Sequence, residues 1–457
     1  MRHVLAGSLL VALAVGGCFG GPEGDGPSPG PDPGAVCTED PLAFDAQGDG
    51  HVHTDLADHA VSCNVRLLAH LPLTAQEGEF AGAHSMAIYE DLVAVAVTYG
   101  NAGHGFDLID VRDRGAPKVV GSFREDSATG GDRNLAFSED GTLIFMANEG
   151  ARENATGVRV VDVSDPTNPV EESFAIVAPS GVHTIEAFTI DGVQYVAALN
   201  YGVHILRLQD VLGSQRLVPV GRYATATPEQ IAQEDPTDTT KLTRSVYGHD
   251  TTVVKDEATG ATLLYFAYAY QGIRVLDISN PSMPSEVGRW TPEPDNGTHY
   301  VHAVKPYWLG ERRLMVVEAE TFEDGHVDTA SPIWVVDVTD FEAPEVLYEW
   351  TNPGGHGSDR LLFSTHFFEI FEERVYMAHY HGGVWVLDVS VPEDVRVDGY
   401  YMPAQDTGYT PGPDCCIGWN LGAMPMTFDV KVDSRGFVHA ADLATGYYAL
   451  EFQSPGD

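Results

Sequence analysis

One strand is written seven times along this chain. Its clearest copy is GVRVVDVSDPTNP at 157–169, where a run of alternating β-branched residues meets Asp162 and then a turn built from Ser164, Asp165 and two prolines. The pattern returns as GFDLIDVRDRGAP (105–117), GIRVLDISNPSMP (272–284), PIWVVDVTDFEAP (332–344) and GVWVLDVSVPEDV (383–395). Two weaker copies, GVHILRLQDV from Gly202 and GYYALEF from Gly446, keep the frame but carry Arg207 and Glu451 at the aspartate position. A supersecondary unit repeated in this way cannot bury its apolar face alone, so the copies must stack.

Around each copy the chain spells further short strands separated by turn residues. The first unit runs AHSMAIY, DLVAVAVTYG, the strand from Gly105 and VVGSF; the sixth runs THFFEIF, RVYMAHYHGG, the strand from Gly383 and VRVDGYY. The copies start at 105, 157, 202, 272, 332, 383 and 446, a spacing that suits four-stranded blades with loop inserts and is too loose for a solenoid. The seventh unit stops one strand short. NVRLLAHLPL at 64–73 is a spare strand patterned like the fourth strand of the other units. The expected fold is therefore all-β: a seven-bladed β-propeller of four-stranded antiparallel blades over 64–457, its ring closed by the N-terminal strand so that no edge is left bare.

The stretches VRVVDVSDP, IRVLDISNP and VWVLDVSVP closely resemble the repeat of the LVIVD-repeat proteins of bacterial and archaeal cell surfaces. The resemblance runs from about residue 64 to 452. It implies a surface-exposed β-propeller and little about chemistry, because that family is not tied to one activity.

The N-terminus reads as a signal peptide over 1–17, with Arg2 and His3 before an apolar run from Val4 to Val15 that is too short to span a bilayer. It ends in VGGC, which resembles the lipobox of prokaryotic lipoproteins and makes Cys18 the expected lipidation site; an ordinary signal peptide cut nearby would leave Cys18 a free thiol. Residues 18–36 are a Gly/Pro-rich tether and 37–63 an irregular acidic segment. The cluster DGHVHTDLADH (49–59) within it reads as a solvated surface. The expected location is extracytoplasmic, lipid-anchored to the cell membrane or cell surface, with a monomeric chain touching the membrane only through the lipid. Cys37, Cys63, Cys415 and Cys416 form an even set in an exported protein, hence candidate disulfides. Strand directions favour Cys37 with Cys63 and a vicinal Cys415–Cys416 bridge. A formal net charge of −42 excludes a nucleic-acid partner, whose phosphates it would repel.

In a propeller the start of each inner strand and the end of each second strand share one face. Inner-strand starts carry His84, Asn134, His183, His249, His302, His366 and Thr427; second-strand ends carry Asn101, Glu149, Asn200, Tyr270, Glu320, His379 with His381, and Asp442. Imidazoles in register around a channel with carboxylates beside them are ligands for zinc, copper or iron. The candidate metal set is His84, His183, His249, His302, His366, Glu149, Glu320, His379 and His381. The competing reading is structural: repeat ancestry copies one histidine into every blade, and the Gly248-His249 pair has the look of the structural Gly-His pair of WD-repeat propellers. Imidazoles each bonded to backbone would support that alternative. Inserts at 225–245, 321–331 and 403–425 fall on the same face, and long loops gathered on a rigid scaffold bind partners.

No phosphate loop, nucleophile elbow or zincin motif is present. The expected function is a surface-anchored binding module for an extracellular ligand or protein partner with a His-rich metal site at the channel mouth. The alternative is a metal-dependent oxidoreductase or hydrolase using the same His/Glu cluster, with catalytic residues unassigned.

Overall fold

Seven four-stranded antiparallel sheets follow one another along the chain in a computed structural model. It describes residues 64–73, 82–98, 104–125, 134–148, 157–177, 182–225, 247–293, 299–320, 331–351, 364–403 and 425–454. Cys18, Cys37, Cys63, Cys415, Cys416, Asn101 and Glu149 lie outside them, as do the 49–59 cluster and nearly all of the three inserts. Among the described residues no helix occurs.

In blades 1 to 6 the strands pair in chain order from the inner strand outward. The seventh blade is made of Thr427–Val432, Phe437–Asp442 and Gly446–Phe452, and its outermost place is taken by Val65–Leu71, paired antiparallel with Gly446–Phe452. Arg66 meets Glu451 across that pair at 2.5 Å, and Asn64 donates to the carbonyl of Asp398 in blade 6 at 2.6 Å. Inner strands touch their neighbours from blade to blade and once more between blade 7 and blade 1, so the ring closes as expected.

Period-two alternation explains why the blades stack. On Leu92–Thr98, Val93, Val95 and Val97 enter the cluster shared with blade 7, while Ala94 and Ala96 enter the cluster shared with blade 2. The second strands, such as Leu143–Asn148 and Thr262–Ala267, are buried on both faces, and one apolar cluster fills each of the seven gaps between blades. The tryptophans of the repeats belong there: Trp290 lies 5.5 Å from Trp334, and Trp350 lies 5.9 Å from Trp385.

The repeat owes its shape to two successive side-chain caps. The carboxylate of Asp162 accepts the N–H of Ser164 at 2.8 Å, and that of Asp165 accepts the N–H of Thr167 at 3.0 Å. Asp277, Asp337 and Asp388 make the first cap to Ser279, Thr339 and Ser390 in the same way. This turn presses on the preceding blade: a Cβ on Gly121 would sit 1.9 Å from the carbonyl oxygen of Pro166, and one on Gly221 1.9 Å from that of Pro281. Only a residue without a side chain permits the approach.

Candidate metal centre

The histidine-bearing end of the inner strands is built with irregular backbone. The register between the first two strands of blade 5 shifts between Val301 and Ala303, so the extra residue, His302, stands in a bulge that re-aims its ring. His84 and Phe428 stand in the equivalent bulges of blades 1 and 7. Ala269 and Tyr380, at the second-strand ends of blades 4 and 6, adopt φ of 44° and 43°. In that left-handed region a side chain costs about 1 kcal/mol. Their carbonyls accept the N–H of Val301 at 3.3 Å and of Thr427 at 3.0 Å, which ties each second strand to the next blade.

Four imidazoles from consecutive blades form a row. His183 Nε2 lies 2.9 Å from His249 Nε2; the ring centroids of His249 and His302 are 3.8 Å apart, and those of His302 and His366 4.3 Å. Glu320 joins from the second strand of blade 5. One nitrogen from each of His249 and His302 and one oxygen of Glu320 lie within 4.8 Å of one another, and the three residues are 5%, 0% and 6% exposed.

Each of these groups is anchored away from the others. His302 Nδ1 lies 2.7 Å from Glu318 Oε1, both residues fully buried, while His302 Nε2 faces Glu320 Oε2 at 3.7 Å. The other oxygen of Glu320, Oε1, accepts the hydroxyl of Tyr380. His366 Nδ1 meets the carbonyl of Phe428 at 2.7 Å. Two buried nitrogens, His249 Nδ1 and His302 Nε2, make no hydrogen bond. Leaving such groups unmatched costs about 1–3 kcal/mol each, so an occupant is expected. Burial, reinforced by the neighbouring rings, holds the pKa of both well below the usual histidine range, which keeps them in the neutral form that binds metal.

Of the sequence-derived set, the structure brings together His183, His249, His302, His366 and Glu320. His84 stands apart, edge-on to the Phe428 ring that also lies against His366. His379 turns into the gap between blades 5 and 6, 6.3 Å from both Trp350 and Trp385, and burial pulls its pKa down to about 4. His381 is buried. Asp442 caps its own turn through the N–H groups of Ala444 and Thr445, and Asn134 bridges Ser85 and Ile185. His366 Nδ1 bonds a backbone carbonyl, whereas His302 Nδ1 bonds a carboxylate. Glu318 and Tyr380 are additions. The signal for Glu318 was the pair of carboxylates two apart in VVEAE, at the end of the apolar run LMVV.

Next to this tier the channel carries charge. Lys305 and Lys431 approach the same oxygen, Glu369 Oε2, at 3.7 and 3.9 Å, and Lys431 lies 3.7 Å from Asp429. Glu186 and Asp250 complete the group, and burial raises the pKa of Glu186 to about 7 and that of Asp429 to about 6.

A sequence profile described as "LVIVD repeat" matches residues 154–174 and 263–291, two of the copies from which the blades were counted. No curated protein sequence matches the chain. Among solved structures it is similar to the WD40 β-propeller domain of Doa1 at 12% identity, with 85% of this chain and 97% of that chain covered and a TM-score of 0.49. It is likewise similar to the C-terminal WD40 domain of Sif2 at 11% identity, with 85% and 99% covered and a TM-score of 0.48. The first match spans the third strand of blade 2 and most of its fourth, and the second runs from the second strand of blade 4 to its fourth, so this is a seven-bladed β-propeller that carries LVIVD repeats.

Proposed function

We propose that this propeller is a surface-anchored binding module that holds a transition metal ion, zinc, copper or iron, at the histidine-bearing end of its channel, and that this end engages an extracellular ligand or protein partner. The observation that carries the metal is His302: a fully buried ring with one nitrogen against a buried glutamate and the other, without a hydrogen bond, facing Glu320. Metal-binding imidazoles are oriented in this way by a carboxylate on the far nitrogen. Surface anchoring rests on the signal-like N-terminus, the VGGC ending and the tether. The partner reading rests on the long inserts that the sequence carries at 225–245, 321–331 and 403–425, nearly all of which lie outside the described residues.

Elemental analysis of protein purified without chelators tests the metal. About one equivalent of a first-row transition metal is expected, falling to background in His302→Ala; protein that is folded yet free of metal, and that takes up none on dialysis, would overturn the reading.

A further inference from the structure

We infer that the metal is held by His249 Nδ1, His302 Nε2 and a Glu320 carboxylate oxygen, and that His183 and Glu318 are positioning residues rather than ligands. This rests on the proposed metal site and assigns its coordination chemistry.

Proton placement selects the ligand atoms. A neutral imidazole carries one N–H and one lone pair, and the bond made by one nitrogen decides what the other can do. In His302, Nδ1 is taken by Glu318 at 2.7 Å; with the N–H there, the lone pair is on Nε2, the atom that faces Glu320. For His249, the two Nε2 atoms of His183 and His249 lie 2.9 Å apart, so one of them must donate to the other. If His183 were the donor, His249 would carry its own N–H on Nδ1, a buried atom with no hydrogen-bond partner. If His249 donates, its Nδ1 presents a lone pair, and a metal ion satisfies it. The second arrangement leaves no buried donor unmatched. It also makes His183 an acceptor that sets the tautomer of His249, the part Glu318 plays for His302. Tyr380 orients Glu320 from the other side, donating its hydroxyl to Oε1.

One nitrogen from each of His249 and His302 and one oxygen of Glu320 lie within 4.8 Å of one another, against the donor separations of about 3.3 Å that metal–nitrogen bonds of about 2.0 Å produce, so side-chain rotation closes the site by roughly 1–2 Å when the ion binds. Two imidazoles and one carboxylate leave further coordination positions for an exogenous donor, the pattern shared by catalytic zinc and non-haem iron sites.

Cobalt(II) titration of the metal-stripped full-length chain, followed by its visible spectrum, tests the assignment. Wild type is expected to bind one equivalent, and azide to shift the bands of the saturated form by entering an open position. His302→Ala and Glu320→Ala should abolish the bands. Glu318→Ala and His183→Leu should weaken binding about 10- to 100-fold while the spectrum at saturation stays that of wild type, because the ligands are unchanged. His183→Gln, which keeps an acceptor oxygen, should recover most of the affinity, and it separates the assignment from simple loss of fold. A His183→Leu spectrum that has lost a nitrogen ligand makes His183 a ligand and overturns the assignment, as does wild-type affinity in both positioning variants. A wild-type spectrum indifferent to azide overturns the open positions. Absence of any cobalt binding by wild type refutes the metal reading itself.

Discussion

At the scale of the residue, burial is the force that sets chemistry in this channel. Glu186 shows it outside the metal tier. Facing Lys305, Asp250, Lys431 and Glu369, it has its pKa raised to about 7 by desolvation, which Lys305 only partly opposes. In the unfolded chain it titrates near 4.5. The folded state therefore holds the proton more tightly, so this contribution to stability is complete below about pH 4.5 and is lost as pH rises to about 7. Glu186→Gln removes the loss. Its melting temperature should equal that of wild type at pH 4 and exceed it at pH 8 by the equivalent of roughly 1–2 kcal/mol, the full shift being discounted for the water that reaches the channel. Equal melting temperatures across the range would mean that Glu186 is solvated as in the unfolded chain. Histidine was the residue type most legible in the sequence, because its position recurs blade by blade. What each ring does was not legible, since that depends on the group opposite: a tryptophan pair for His379, a carboxylate for His302.

At the scale of the element, the third strand and its double cap carry the fold, and their partner is a bare glycine on the fourth strand of the preceding blade. Gly121→Ala places a methyl group 1.9 Å from the Pro166 carbonyl, backbone against backbone, where nothing flexible can give way. Overpacking of this kind costs roughly 1–3 kcal/mol. Gly115→Ala, whose Cβ would meet only Asp113 Oδ1 at 3.5 Å, should change stability by less than about 0.5 kcal/mol. Urea unfolding of the two variants reads the contrast, and equal midpoints would show that the turn can withdraw from Gly121. Strand order and strand number were readable because alternation has period two and the turn residues punctuate it. The bulges that raise His84, His302 and Phe428 were not, because one extra residue in a ladder exists only relative to its partner strand.

At the scale of the whole molecule, the ring is held by one junction different from the others. Six blades are covalently continuous; the seventh borrows Val65–Leu71 from the far end of the chain. A chain beginning at residue 75 should lose that strand, expose the edge of Gly446–Phe452 and aggregate or melt many degrees lower, whereas a chain beginning at residue 62 should melt with the full-length protein. Differential scanning calorimetry distinguishes them, and identical melting of both would show that the N-terminal strand does not close the ring.

By itself the sequence determined the architecture: the repeat, its period, the missing strand and its replacement all follow from local patterning, which each segment carries independently of the rest. It also determined which residue types gather at one end of the channel. Only the tertiary structure decided which of them meet. His249, His302, Glu318 and Glu320 come from two blades, and their relations are distances of 2.7 to 4.8 Å fixed by bulges, by left-handed residues and by the packing of one blade on the next. Such distances are properties of the closed ring, in which the final position of each side chain depends on all seven interfaces at once.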